Sequence, residues 1–172
     1  TGKKESILSL VSSLEGEGKT FLTGALGINR SESGDKVLLI DTDILSFALG
    51  TVLNVPSGEN PMPETVEQAR NQITTTNIPN LSYLKVSSSR NWDLDKFSSV
   101  LRELQKQYSA IIIDTPSICK SRFGAQISLL ADQVYVVARY ELTRPLHIQQ
   151  VLDTLQETGV SPTGIVLDGV KS

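Results

Sequence analysis

The sequence predicts an α/β fold, a doubly wound and mostly parallel sheet of seven strands with helices on both faces. Two observations support this fold class. Short apolar runs bounded by turn residues alternate along the chain with longer segments of helical spacing, as in consecutive strand–helix units. Two of these runs, residues 37–40 and 110–113, are apolar throughout, which is typical of strands buried on both faces of a parallel sheet.

Length and composition predict one domain. The chain has 172 residues, of which 39% are hydrophobic and only 5% aromatic, so we expect a single α/β domain over residues 1–172 with an aliphatic core. The chain does not begin with Met, which is consistent with a domain excised from a longer, membrane-linked protein. No run reaches the roughly 18 apolar residues of a membrane span.

Apolar runs, helical spacing and turn residues place the elements in order. Six of the strands are expected at residues 7–12, 37–41, 81–86, 110–114, 133–138 and 163–167. Helices are expected at residues 20–31, 44–50, 94–107, 123–130 and 146–158. Residues 55–80 are rich in Pro, Asn, Thr and Gly. We expect a surface loop there with a short helix near 64–71, and we keep a partner-binding insert as the alternative.

Charge and the scarce reactive residues exclude several classes of function. The net charge of −3 provides no general basic surface, so we expect no nucleic-acid partner. The single cysteine, Cys119, excludes an internal disulfide and fits a reducing compartment, and we expect a buried or half-buried thiol. The single histidine, His147, excludes a metal site built from several histidines, and we expect no catalytic triad around it.

The segment Ser13-Leu14-Glu15-Gly16-Glu17-Gly18-Lys19-Thr20 is the most informative part of the chain, because it joins the first strand to the first helix. Its glycines allow backbone N–H groups to turn toward one point, and the helix N-terminus adds a partial positive charge. Lys19 can reach the outer phosphates of a nucleotide, and the Thr20 hydroxyl can bind a magnesium ion. The segment predicts a phosphate-binding loop, although Ser13 stands where the usual pattern opens with Gly.

Acidic residues follow two of the buried strands. Asp41 and Asp43 end one strand, and Asp114 ends the other. The carboxyl ends of parallel strands meet at one edge of an open sheet, where ligands bind, and oxygen ligands of this kind suit Mg²⁺. Taken singly, each Asp could be a helix cap or a turn residue, and Lys19 could be a solvated side chain. Taken together with the loop, they predict a nucleotide–magnesium site.

Residues 12–20, 37–43 and 111–116, followed by 131–137 and 164–170, resemble the bacterial tyrosine kinases, the cytoplasmic kinase domains of polysaccharide co-polymerases. The resemblance implies a P-loop NTPase that binds ATP or ADP with Mg²⁺. It also implies a cytoplasmic location at the inner face of the bacterial plasma membrane. The implied partners are a membrane-embedded polysaccharide co-polymerase, on the same or a separate chain, and optionally further copies of this chain.

The same resemblance assigns roles to residues. The nucleotide would be bound by Glu15, Gly16, Glu17, Gly18, Lys19, Thr20 and Phe21, with Asp168 beside the adenine. The metal would be held by Thr20, Asp41, Asp43 and Asp114. The catalytic residues would be Lys19, Asp41 and Asp43, of which Asp41 would orient or deprotonate the attacking hydroxyl.

This sequence departs from the family in three places. Residues 44–47 contain none of the arginines that the family has after Asp43, and residues 87–94 lack its Asn-Pro-x-Glu-Leu-Leu segment. The given sequence stops at Ser172 without the family's tyrosine-rich tail, either because that tail is trimmed or because the member is degenerate. Of the four tyrosines, two lie in expected strands and are poor acceptors, Tyr83 and Tyr135, whereas Tyr108 and Tyr140 lie at element ends.

Three functions therefore remain open. The first is Mg-dependent phosphoryl transfer to tyrosine in exopolysaccharide and capsule biosynthesis and export. The second is a catalytically degenerate nucleotide-binding module that regulates assembly of the co-polymerase. The third is a positioning ATPase of the ParA/MinD type, against which Leu14 argues, since those proteins have a second lysine there.

Overall fold

The computed structural model describes residues 6–43, 46–56, 58, 60–86 and 92–169. Within these residues the strands are β1 (Ser6–Val11), β2 (Val37–Asp41), β3 (Thr74–Thr75), β4 (Leu81–Lys85), β5 (Ala110–Asp114), β6 (Gln133–Arg139) and β7 (Gly164–Asp168). The helices are α1 (Lys19–Glu32), α2 (Ala48–Val52), α3 (Val66–Gln72), α4 (Leu94–Gln105), α5 (Phe123–Ser128) and α6 (Pro145–Thr158).

The described strands form one seven-stranded sheet in the order β3-β4-β2-β5-β1-β6-β7. Every pairing is parallel except that of β3 with β4. Helices cover both faces, as β5 illustrates: Ile111 and Ile113 pack in one apolar cluster with Phe97 of α4, and Ile112 packs on the opposite face with Leu39. The doubly wound, mostly parallel fold predicted from the sequence is confirmed.

The register of the sheet determines where the chemistry lies. Asp41 pairs with Asp114 across β2 and β5, and it pairs with Lys85 across β2 and β4. Leu10 of β1 also pairs with Asp114, so β1 reaches the same edge just before the glycine-containing loop. The loop and the two acidic strand ends therefore meet at one edge of the sheet.

Three expectations need correction. The helix expected at 44–50 begins only at Ala48, after Phe47 in a non-helical conformation; residues 44 and 45 lie outside the described residues. The segment 55–80 contains α3, close to the expected short helix, but also β3, which was not expected because two residues carry no periodic signal.

Cys119 is the third correction, because its thiol is exposed rather than buried. The backbone N–H groups of Ile118 and Cys119 donate to the carbonyls of Ser12 and Ser13. The chain therefore runs alongside the glycine-containing loop, with the Cys119 side chain turned to solvent. None of the described helices combines the length and the apolar character needed to cross a bilayer.

Candidate phosphate-binding site

The loop between β1 and α1 has the backbone conformation that its glycines permit. Gly16 and Gly18 have φ values of 78° and 93°, in the left-handed region that favours glycine. Gly18 is also the residue that precedes the first turn of α1, and no side chain caps that turn. The partial positive charge of the helix N-terminus therefore faces an open cleft of about 470 Å³. The cleft is lined by Glu15, Gly16, Gly18, Lys19, Thr20, Phe21, Asp43, Ser46 and Ala48.

Glu17 supports the loop from inside. Its buried carboxylate accepts hydrogen bonds from the Leu14 N–H at 2.7 Å and the Ser13 hydroxyl at 3.1 Å, and also from the Thr143 hydroxyl. Through Glu17, these contacts join the start of the loop to the segment after β6. Of the residues predicted to bind the nucleotide, Glu17 is thus placed to hold the shape of the loop rather than to line the cleft.

Lys19 lies at the cleft with its side chain folded along the loop. Its ammonium group donates to the Ser12 hydroxyl at 2.9 Å, and the residue is largely buried. A buried ammonium group whose one hydrogen-bond partner among the described residues is a neutral hydroxyl is well suited to bind an anion. The role of Lys19 as a phosphate ligand stays a prediction.

Asp114 is paired with Thr20 and has spare bonding capacity. The Thr20 hydroxyl donates to Asp114 Oδ2 at 2.7 Å. The other oxygen, Oδ1, is buried and has no hydrogen-bond partner in the described part of the protein, and the residue is only 1% exposed. Burial raises the pKa of this carboxyl to about 7. An unpartnered carboxylate oxygen beside a hydroxyl is a donor set that fits Mg²⁺.

Asp41 is placed differently. Its Oδ1 contacts the Lys85 ammonium group at 2.9 Å and accepts from the Asp43 N–H at 3.0 Å. Its Oδ2 accepts from the Tyr83 hydroxyl at 3.0 Å. Burial raises the pKa of Asp41, and Lys85 opposes that shift. Both oxygens of Asp41 are thus occupied by protein donors, whereas Asp43 lines the cleft.

The remaining predicted residues surround the loop. The Asp168 carboxylate lies against Gly18, such that a Cβ on Gly18 would be 2.7 Å from Asp168 Oδ2. Phe21 is 69% exposed at the mouth of the cleft. Glu15 forms an ion pair with Lys120 at the rim.

Sequence reasoning missed two cations. Arg139, at the end of β6, donates to the Gly16 carbonyl at 2.9 Å. Lys85, at the end of β4, pairs with Asp41. A charged residue at the end of an apolar strand is the available signal for both, but the neighbours that they meet depend on the strand order.

Within the described residues no group of three or more His, Cys, Asp or Glu side chains is arranged to hold a metal ion. This is compatible with Mg²⁺, which commonly relies on one or two carboxylates together with waters and the phosphates of its ligand. Of the four predicted metal ligands, Thr20 is paired with Asp114, Asp43 lines the cleft together with Thr20, and Asp41 is bonded to Lys85.

The tyrosines differ in access. Tyr83 and Tyr108 are buried, Tyr135 is partly buried, and Tyr140 is 53% exposed at the end of β6. Burial and the neighbouring Asp41 raise the pKa of Tyr83 far above its usual range, so that its hydroxyl stays protonated. Tyr83 and Tyr135 lie in strands as expected, whereas Tyr108 is less accessible than its position at an element end suggested.

Comparison with known proteins supports the resemblance to bacterial tyrosine kinases. The chain is 24% identical over 161 residues to tyrosine-protein kinase Ptk of Acinetobacter johnsonii, and the aligned region makes up 90% of this chain and 22% of that protein. It is 26% identical over 185 residues to tyrosine-protein kinase CpsD of Streptococcus agalactiae, and the aligned region makes up 99% of this chain and 78% of that protein. The chain thus spans about a fifth of one relative and most of the other.

A positioning protein is similar in structure. The septum site-determining protein MinD of Pyrococcus horikoshii, solved with Mg-ADP, superposes with a TM-score of 0.72 at 26% identity over 94% of this chain and 69% of that chain. The family model described as the CobQ/CobB/MinD/ParA nucleotide binding domain matches residues 8–165. The glycine-containing loop, the acidic strand ends and this match agree, and the chain belongs to the CobQ/CobB/MinD/ParA nucleotide-binding domain family.

Proposed function

We propose that this domain binds Mg-ATP and transfers the γ-phosphoryl group to tyrosine hydroxyls, in the biosynthesis and export of a bacterial exopolysaccharide or capsule. The observation that supports it most is the buried Asp114 oxygen that has no hydrogen-bond partner among the described residues, on a carboxyl that accepts from the Thr20 hydroxyl and feels the charge of Lys19. The names of the relatives Ptk and CpsD support tyrosine as the acceptor.

Each side chain has a defined task in this proposal. Bound Mg²⁺ would neutralise charge on the β- and γ-phosphates. Thr20 and Asp114 would hold the ion, and Asp43, which lines the cleft with Thr20, would contribute. Lys19 exchanges the Ser12 hydroxyl for phosphate oxygens, while the first turn of α1 donates backbone N–H groups.

The acceptor hydroxyl needs a carboxylate that accepts its proton or orients it. Asp43 lines the cleft, and the two oxygens of Asp41 are bonded to Lys85 and Tyr83. We therefore assign the acceptor-side role to Asp43 and a supporting role to Asp41. Asp168, beside Gly18, is placed on the nucleotide side.

The cellular setting follows from the same proposal. A kinase of this type would act in the cytoplasm at the inner face of the plasma membrane. Its partner would be a membrane-embedded polysaccharide co-polymerase, with further copies of the chain as neighbours. The acceptor is a tyrosine of such a partner or copy, because only Tyr140 among the four tyrosines of this chain is well exposed.

Two observations favour a second candidate, a catalytically degenerate module whose nucleotide regulates assembly of the co-polymerase. The segment after Asp43 has no arginine, and Asp41 is neutralised by Lys85. A positioning ATPase of the MinD type fits the family, but this chain has Leu14 where such ATPases carry a second lysine.

The test separates these functions in one series. Nucleotide binding is measured by calorimetry with and without Mg²⁺ for the wild type, for Lys19→Ala and for Lys106→Ala, an exposed lysine used as the control. The same proteins are then incubated with Mg-ATP and a tyrosine-rich peptide and probed for phosphotyrosine. We expect a phosphotyrosine signal that Lys19→Ala abolishes and Lys106→Ala preserves.

Other results lead elsewhere. Binding without phosphotyrosine would favour the regulatory module, and dimers formed only with ATP would favour the positioning ATPase. Absence of Mg-nucleotide binding by the wild type at millimolar concentration would contradict all three.

A further inference from the structure

Lys85 is a buried lysine that contacts two of the residues lining the cleft, Asp43 and Ser46. It is the last residue of β4, directly opposite Asp41 in the register of the sheet, and it is only 6% exposed. A lysine pays a large desolvation cost when it is buried, so that such a residue normally has both a charge partner and full hydrogen bonding.

The Lys85 ammonium group has three donors and contacts three oxygens. These are Asp41 Oδ1 at 2.9 Å, the Asp43 carbonyl at 2.5 Å and the Ser46 carbonyl at 2.8 Å. The donors are therefore fully used. The Phe47 ring lies 6.0 Å from the same nitrogen.

These contacts join the sheet to one wall of the cleft. Asp43 and Ser46 both line the cleft, together with Lys19 and Thr20. The sequence provides no cation of its own between Asp43 and Phe47. Lys85, which comes from the neighbouring strand, is thus the cation that binds the backbone carbonyls of Asp43 and Ser46.

A purely structural ion pair would not require this arrangement. Buried ion pairs are often no better for stability than packed apolar residues, so a pair by itself is weak support for a stabilising role. An apolar side chain at position 85 could fill the space but could not bind two carbonyl groups of the cleft wall. The specific capability of the lysine is to set the position of Asp43 and Ser46.

We propose that Lys85 is a positioning residue that holds the Asp43 and Ser46 wall of the cleft at its distance from Lys19 and Thr20, and thereby sets how strongly Mg²⁺ strengthens nucleotide binding. This inference rests on the proposed Mg-nucleotide site. It concerns the metal-dependent part of binding, because among the described residues no hydrogen bond or ion pair joins Lys85 to the phosphate-binding loop.

The test uses ADP as the probe, titrated by calorimetry in excess EDTA and again in Mg²⁺. Lys85→Met removes the charge at similar length. The double variant Asp41→Asn/Lys85→Met avoids an uncompensated buried carboxylate and serves if the single variant folds poorly. Lys96→Met, which changes an exposed lysine paired with Glu64, is the matched control.

We expect both Lys85 variants to lose about tenfold or more of the gain in ADP affinity that Mg²⁺ provides, as is usual when a group that orients metal ligands is removed. ADP affinity in EDTA should stay within about threefold, and Lys96→Met should match the wild type in both conditions.

Two results would overturn the inference. A folded double variant with the full Mg²⁺ gain would show that Lys85 has only a structural role. An equal loss of affinity with and without Mg²⁺ would show a general distortion of the site. If wild-type protein binds ADP in neither condition, the proposed function itself fails, and that result is distinguishable because it appears before any substitution is made.

Discussion

Asp41 and Asp114 occupy matching positions, yet their surroundings are opposite. Both end a buried apolar strand, both are followed by Thr, and they face each other in the register of β2 and β5. Asp41 has donors on both oxygens, from Lys85, Tyr83 and the Asp43 N–H. Asp114 has one donor, Thr20, and its second oxygen is buried with no hydrogen bond among the described residues.

The difference separates a supporting carboxylate from a binding one. A fully bonded buried carboxylate with a counter-charge holds its neighbours in position and is costly to break, whereas a buried oxygen without a partner costs free energy in the unliganded protein. A protein retains such an unfavourable group where the binding of a ligand compensates for its free-energy cost. Two residues with the same sequence pattern can therefore have different functions, and the predictions below test that division in order of expected effect.

The largest effect is expected for Asp41→Asn. This change leaves the Lys85 ammonium group buried without its counter-charge, and breaking a buried pair in this way typically costs about 3–5 kcal/mol. Urea denaturation at pH 7.5 without metal should show this loss in the free energy of unfolding. The double variant Asp41→Asn/Lys85→Met should recover part of it. A loss below about 1 kcal/mol for Asp41→Asn would mean that the pair is not the structural element described above.

Asp114→Asn should behave in the opposite way. Without metal, the free energy of unfolding at pH 7.5 should change by less than about 1 kcal/mol, because the substitution removes a poorly bonded carboxylate and keeps an acceptor for Thr20. In Mg²⁺, the gain in ADP affinity should fall by about a hundredfold, since a metal ligand is lost. Denaturation and calorimetry measure the two effects separately. Strong destabilisation with an intact Mg²⁺ gain would reverse the roles of the two carboxylates.

The sequence predicted much of the fold for a physical reason. The apolar runs of β2 and β5 indicate strands buried on both sides, and the glycine positions of the loop indicate left-handed backbone, both of which are local properties. The acidic edge was predicted as well, because parallel strands bring their carboxyl ends together.

The occupancy of the two carboxylates was not predictable in the same way. It depends on β4 lying beside β2, which places Lys85 and Tyr83 next to Asp41, and on β5 lying beside β1, which leaves Asp114 beside Thr20. Those contacts depend on the strand order, which no local pattern specifies. For the same reason Arg139 was missed, since its partner, the Gly16 carbonyl, lies far away in the chain.

A pH titration offers a smaller, graded test. Asp114 has a pKa of about 7 in the folded protein against an ordinary value of 3.8. Between these values the unfolded chain has released the proton and the folded protein retains it, so this group lowers stability as the pH rises from about 4 to 7. Wild-type stability relative to Asp114→Asn should fall over that range and level off above it.

Metal binding should show the opposite slope. Because Mg²⁺ binds the deprotonated carboxyl, its affinity for the ADP complex should rise up to about tenfold per pH unit below pH 7 and become constant above it. Calorimetry at several pH values, corrected for ionisation of the nucleotide with free ADP, measures this slope. A pH-independent Mg²⁺ affinity between pH 5.5 and 7 would indicate that Asp114 is already ionised or is not a ligand.

The smallest effect is expected for Asp168→Asn, which extends the comparison to a third strand-end carboxylate. Asp168 ends β7, is partly exposed and lies against Gly18, close to the expected phosphates. Unlike Asp41 and Asp114, it is partly solvated, so its repulsion of a bound triphosphate is weakened by solvent. Removing its charge should raise ATP affinity by a few-fold, about 0.5–1 kcal/mol, with a smaller gain at high salt. Calorimetry of ATP at two salt concentrations measures this, with Asp153→Asn, on the exposed side of α6, as the control. If affinity falls instead and GTP is affected less than ATP, the carboxylate serves the adenine amino group, and the role implied by the family resemblance is the better one.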